Sequence, residues 1–193
     1  MNYLTTRRLD LIILLSAALV TCTAPGEALA ASVGGSSGIE IEGPRDRRGL
    51  VWGFGLGAGG TNMQGARFLA APRLQLMLGA GIHERLTVEG EFTLAKYIGP
   101  STGWNVGGDL AVTGFVYKGL FTRVGFGMQG VPRDVASGDT SLIYGIGGDL
   151  GLGYEIFVNN TVALGFGLEY DMRYAGDGSL RHGGFGGINL RFY

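Results

Sequence analysis

The sequence predicts an all-β chain, an eight-stranded antiparallel up-and-down transmembrane β-barrel, and three observations carry that prediction. From Thr161 to Tyr174 the residues alternate without exception: Val162, Leu164, Phe166, Leu168, Tyr170, Met172 and Tyr174 on one parity, Ala163, Gly165, Gly167, Glu169, Asp171 and Arg173 on the other. A strict period of two marks a strand whose faces meet different solvents, and about ten such residues tilted near 45° cross the hydrocarbon of a bilayer. Past the N-terminus no apolar run approaches the roughly 18 residues of a membrane helix, although the hydrophobic fraction is 46%. Finally, the alternating segments are joined by connections that are alternately short and long, the asymmetry of outer-membrane barrels.

Met1–Ala30 has a basic start (Arg7, Arg8), an apolar core from Leu11 to Val20 and the small-x-small site Ala28-Leu29-Ala30, the pattern of a secretory signal peptide. An apolar core of that length is too short for an anchor. Cys22 is the chain's one cysteine and lies inside this segment, so the barrel has no disulfide. Leu19-Val20-Thr21-Cys22 resembles a lipoprotein processing site, with Thr21 larger than the residue that normally precedes the cysteine, which leaves acylation of Cys22 open. Residues 31–47, Gly/Ser-rich and then charged, read as a flexible periplasmic leader, and residues 48–193 as the barrel.

The strands follow in order. Leu50–Gly59 alternates Leu50, Trp52, Phe54, Leu56 and Ala58 against Val51 and four glycines. After a loop over 60–71, Leu74–Ile82 alternates likewise; His83-Glu84-Arg85 is a tight connection into Leu86–Ala95, which carries Glu89 and Glu91 on its polar face. A loop over 97–103 leads to a fourth strand, 105–113, bearing Asp109; residues 117–119 turn into a fifth, 121–129, bearing Arg123. A loop over 130–140 precedes the sixth, 142–155, with Asp149 and Glu155. Asn159-Asn160 marks the turn into the Thr161–Tyr174 strand, and a loop over 175–182 leads to the eighth, 187–192, with Arg191. Gly-Phe-Gly-Leu/Met recurs at 53, 125 and 165, and Gly-Gly-Asp-Leu recurs at 107 and 147, as expected of repeated antiparallel hairpins.

Alternation alone fits a soluble lipid-binding barrel equally well, with the apolar face turned inward. Glycine separates the two cases. It weakens a water-facing strand, whereas a narrow interior needs small residues to leave room for charged ones. The polar face carries both, so Glu89, Glu91, Asp109, Asp149, Glu155, Glu169 and Asp171 are expected to share the lumen with Arg123, Arg173 and Arg191, paired as buried charges must be. Trp52, Tyr154 and Phe192 near the short turns, and Trp104, Tyr144, Tyr170 and Tyr174 near the long loops, would form two interfacial girdles.

The signal peptide, eight amphipathic strands and terminal Ile188-Asn189-Leu190-Arg191-Phe192-Tyr193 resemble the small OmpA/OmpX-like outer-membrane barrel family over about residues 48–193. The resemblance implies a porin-like monomer of the Gram-negative outer membrane and cell envelope, in contact with lipid and lipopolysaccharide. It also implies that the C-terminal strand is read by the barrel-assembly machinery through a final aromatic, either Phe192 or Tyr193.

On that basis the expected role is non-enzymatic, structural or surface-loop binding, with no cofactor and no metal. Two distant histidines, His83 and His182, make no metal set. With Lys only at 96 and 118 and a net charge of −1, nothing suggests nucleic acid. Arg67, Lys96, Arg133 and Arg181 on the long loops are candidates for lipopolysaccharide phosphates. Two alternatives stay open: a lipid A-modifying enzyme using Ser179 and His182 with Asp177, for which no Gly-x-Ser-x-Gly elbow is present, and a narrow pore.

Overall fold

The computed structural model describes residues 46–62, 69–98, 103–134 and 139–193. The expected signal peptide, Cys22, most of the expected leader and Arg67 lie outside the described residues. The strands are β1 (Gly49–Asn62), β2 (Leu69–His83), β3 (Leu86–Tyr97), β4 (Gly103–Tyr117), β5 (Leu120–Asp134), β6 (Asp139–Phe157), β7 (Val162–Ala175) and β8 (Leu180–Phe192). Each pairs antiparallel with its sequence neighbours, and β1 pairs with β8 to close the barrel. Closure leaves no edge strand to template association.

Side-chain parity is that of the sequence. Even residues such as Leu56, Leu78, Leu110, Phe126, Leu152 and Leu168 are exposed on the outside, while odd residues such as Val51, Glu89, Ala111, Thr113, Asp149 and Ala163 are buried within. The inward glycines accommodate particular neighbours. A Cβ at Gly125 would fall on the Asp149 carboxylate, one at Gly127 on Asp109, one at Gly107 on Gln129 and one at Gly165 on Asn189.

The strands are longer than expected and the loops correspondingly shorter. Half or more of each predicted loop, 60–71, 130–140 and 175–182, is strand: β1 runs to Asn62 and β2 starts at Leu69, β5 runs to Asp134 and β6 starts at Asp139, and β7 runs to Ala175 while β8 starts at Leu180 rather than 187. Strands of 12 to 19 residues exceed the 9–11 or so that a bilayer needs. Backbone pairing continues past the apolar band because the ladder's hydrogen bonds need no apolar side chains. Ala70, Pro72, Gly184 and Gly186 occupy outward positions there and give no hydrophobic signal. At the other end the turns are short: Glu84-Arg85, Lys118-Gly119 and 158–161. Lys118 takes a positive φ of 50° to make its two-residue reversal.

Phe192 and Tyr193 separate at the C-terminus. Phe192 lies outside the barrel, stacked on Trp52 with ring centroids 4.1 Å apart, whereas the Tyr193 hydroxyl turns inward and donates to Glu155 at 2.6 Å.

Candidate functional site: the charged interior of the barrel

Since the outer face is apolar, the chemistry-bearing residues converge inside, and they arrange in three tiers. Nearest the short turns, Arg191 reaches Glu89 (3.3 Å) and Glu155 (3.8 Å), and Thr87 donates its hydroxyl to Glu89 at 2.5 Å. Arg47 joins this tier: its Nε donates to Glu155 at 2.9 Å and its guanidinium lies 3.6 Å above the Phe115 ring, with Phe157 and Tyr193 further around it. Arg47, placed in the leader by its charged, aperiodic surroundings, is only 2% exposed and belongs with the barrel.

The middle tier holds Arg123, Arg173 and Arg73 with five carboxylates. Arg123 pairs with Glu91, Asp149 (3.3 Å) and Glu169 (3.2 Å), and Gln75 also donates to Glu91. Arg173 pairs with Asp109 (2.6 Å), binds Asp171 through Nε and Nη2, and lies 3.9 Å from Asp149. Two like-charged pairs are directly cross-strand, Glu91 with Asp109 and Asp149 with Asp171. Such pairs are unfavourable alone, and the arginines bridge them. Arg73, which the sequence reading left out, binds Glu169 at 2.6 Å. It was missed because the second strand was started at Leu74, yet its odd number continues the inward parity of Gln75 and Met77.

The third tier lies toward the longer loops. Arg181, expected on an external loop, is buried at 3% exposure and donates to the carbonyls of Pro132 (2.5 Å) and Arg133 (3.2 Å) across the barrel. Ser179 donates to Asp177 at 2.6 Å, and Arg181 donates to Ser179 at 3.2 Å. These contacts hold the Asp177 carboxyl below its ordinary range, the Ser179 hydroxyl and backbone N–H being the largest causes. Tyr97, expected in a loop, is buried on β3; its hydroxyl accepts from Asn105 at 2.9 Å, beside an apolar cluster of Leu69, Ala71, Ala95 and Phe185.

Of the suggested Ser-His-carboxylate set, Ser179 and Asp177 meet but His182 does not join them. It sits at an outward position beside Tyr170, ring centroids 6.1 Å apart, while Ser179 is buried with the inward residues. A triad requires nucleophile and base within hydrogen-bond reach, which an inward Ser179 and an outward His182 do not meet. His83 accepts from the Arg85 N–H in its turn. Lys96 lies outside against Trp104, 5.5 Å from the ring, and Arg133 is exposed. Trp104, Tyr144, Tyr170 and Tyr174 are exposed toward the longer loops, while Trp52 is exposed and Tyr154 and Phe192 half-buried toward the short turns. Among the described residues no three His, Cys, Asp or Glu side chains form a metal-binding group.

A closed barrel with an apolar outside and a charged inside has the architecture of the small outer-membrane barrels. Among solved structures, the chain resembles the crystal structure of Neisserial surface protein A (NspA), with a TM-score of 0.53 and 16% identity, over 74% of this chain and 96% of that one. That likeness is one of fold. The sequence matches no protein-family profile and no curated protein.

Proposed function

We propose that this chain is a non-enzymatic barrel of the bacterial outer membrane, structural or surface-loop binding, whose interior is filled by ion pairs. The observation that carries the reading is the inversion of the two faces. Leu50, Leu78, Leu110, Phe126 and Leu168 stand 62–70% exposed on the outside while Glu89, Arg191 and Arg173 are buried at 2% or less. Exposed apolar area on this scale, running around the whole barrel, is untenable in water and favourable in lipid.

In this reading the chain is an exported monomer. Its short turns face the periplasm, its longer loops face outward, and its girdles lie at the two interfaces. Lipid and lipopolysaccharide are the surroundings. The exposed Arg133 and Lys96 are the loop-end cations available to lipopolysaccharide phosphates, whereas Arg181 is committed to the interior. Recognition by the assembly machinery falls to the C-terminal strand, where Phe192 is the outward-facing aromatic. Separation of His182 from Ser179 weighs against the lipid A-modifying alternative.

Heat-modifiable migration tests the proposal. The chain should fractionate with outer membranes and run faster in gels before boiling than after. Recovery in the soluble fraction, or a mobility unaffected by boiling, would refute it.

A further inference from the structure

Between the first and middle tiers lies a cavity of about 60 Å³, lined by Arg73, Gln75, Met77, Arg123, Asn189 and Arg191. One wall is bare backbone, since Gly57, Gly187 and Gly167 succeed one another across β1, β8 and β7. The Nε atoms of Arg73, Arg123 and Arg191 are buried here with no hydrogen-bond partner from the protein. A space of this size with arginine, glutamine and asparagine side chains in its wall holds several waters, each needing about 10–15 Å³. The chamber is therefore a wet compartment. Phe121 and Arg191 are part of its wall, and next to Phe121 comes Phe115 with Arg47 laid on its ring.

We infer that Asp46-Arg47-Arg48 is a removable stopper that controls access from the short-turn mouth to this hydrated chamber. Arg47 is the one arginine of the first tier that belongs to no strand. Its hold is local: a single ion pair to Glu155, a 3.4 Å hydrogen bond to the Glu84 carbonyl, and ring contacts. When it leaves, Glu155 keeps the Tyr193 hydroxyl at 2.6 Å and Arg191 at 3.8 Å, so withdrawal does not strand a bare carboxylate. Outside the mouth, Asp46 and Arg48 form their own exposed bidentate pair, which needs nothing from the barrel. The seat is built by Gly81 of β2, where any Cβ would collide with the Arg47 carbonyl. Gly81 thus permits the stopper without contributing to the interior charges.

That separation supplies the test. In the full chain carrying Cys22→Ser and Met77→Cys, the chamber holds the only thiol, because Cys22 is the only cysteine. Modification by a small water-soluble methanethiosulfonate is timed on the refolded, heat-modifiable fraction. Labelling should be slow with Arg47 and Gly81 intact and at least tenfold faster in both Arg47→Ala and Gly81→Ala, the second of which evicts the segment while every ion-pairing side chain remains. Equal rates in all three chains, or fast labelling in the parent, would overturn the stopper. Acceleration in Arg47→Ala alone would reduce Arg47 to a space-filling residue and overturn the claim that the segment moves.

Discussion

The middle of the barrel and its short-turn mouth use the same ions in opposite ways. In the middle tier Arg73, Arg123 and Arg173 serve Glu91, Asp109, Asp149, Glu169 and Asp171, with every partner fixed to a strand. At the mouth two carboxylates, Glu89 and Glu155, meet two arginines and a tyrosine hydroxyl, and one arginine arrives from outside the sheet. Scarcity of cations makes the middle indivisible, while a surplus of donors makes the mouth reversible. What decides whether a buried ion pair is a girder or a latch is the number of substitutes each partner has, more than its distance.

The largest effect should come from breaking the indivisible tier. Arg173→Ala leaves Asp109 and Asp171 without their cation and should destabilise the barrel by roughly 3–5 kcal/mol, read from urea unfolding in detergent or lipid. A loss below that of Arg47→Ala would invert the comparison. The next effect checks the outer frame on which both tiers hang: Phe166→Arg, at an outward mid-strand position, should cost roughly 2–4 kcal/mol in lipid. Gly165→Ala beside it should cost less, because the obstacle is the flexible Asn189 side chain. Equal small effects would contradict the two faces.

Arg47→Ala comes third. It removes the charge-assisted hydrogen bond to Glu155, worth about 1.5–3 kcal/mol, with the longer one to the Glu84 carbonyl and the Phe115 ring contact, and Glu155's remaining partners should hold the loss near that range. The smallest effect concerns the exposed Asp46–Arg48 pair that flanks Arg47. Hydrogen bonds from the Arg48 side chain and then its backbone N–H hold the Asp46 carboxyl down to about 2, against an ordinary 3.8. A depressed carboxyl contributes above its unfolded value and loses that contribution as pH falls through the folded one. The Asp46–Arg48 turn should thus persist through pH 4 and open near pH 2, followed by the Asp46 carboxyl shift in NMR. An Asp46 titrating near 4 would mean that the turn is not formed.

Strand number, pairing order and parity were legible because lipid demands apolar residues on one face of every strand, and Thr161–Tyr174 shows that demand undiluted. Where the demand stops, so did the reading. Arg181 lies between Leu180 and His182 in a segment followed by Gly183-Gly184, with no apolar alternation to betray a strand. Arg73 follows Pro72, which reads as a strand breaker. Extending the odd parity of Gln75 back to Arg73, and of Gly187 back to Arg181, would have brought both inside. Arg47 had no such signal, since its place depends on a mouth lined by Phe115, Phe157 and Tyr193 from three distant parts of the chain.

The Trp52–Phe192 stack carries a kinetic consequence. It straddles the β1–β8 seam, where residues from the two ends of the barrel segment meet, while every other pairing joins consecutive strands. Loop-closure entropy makes contacts between distant residues the slowest to form. The seam is therefore the last joint to shut as hairpins add in order, and Trp52 is placed on it. The other tryptophan, Trp104, sits on β4 opposite Lys96 of β3, away from the seam. A Trp104→Phe chain then has a fluorophore that reports the moment a sheet becomes a cylinder, separately from the formation of the strands themselves.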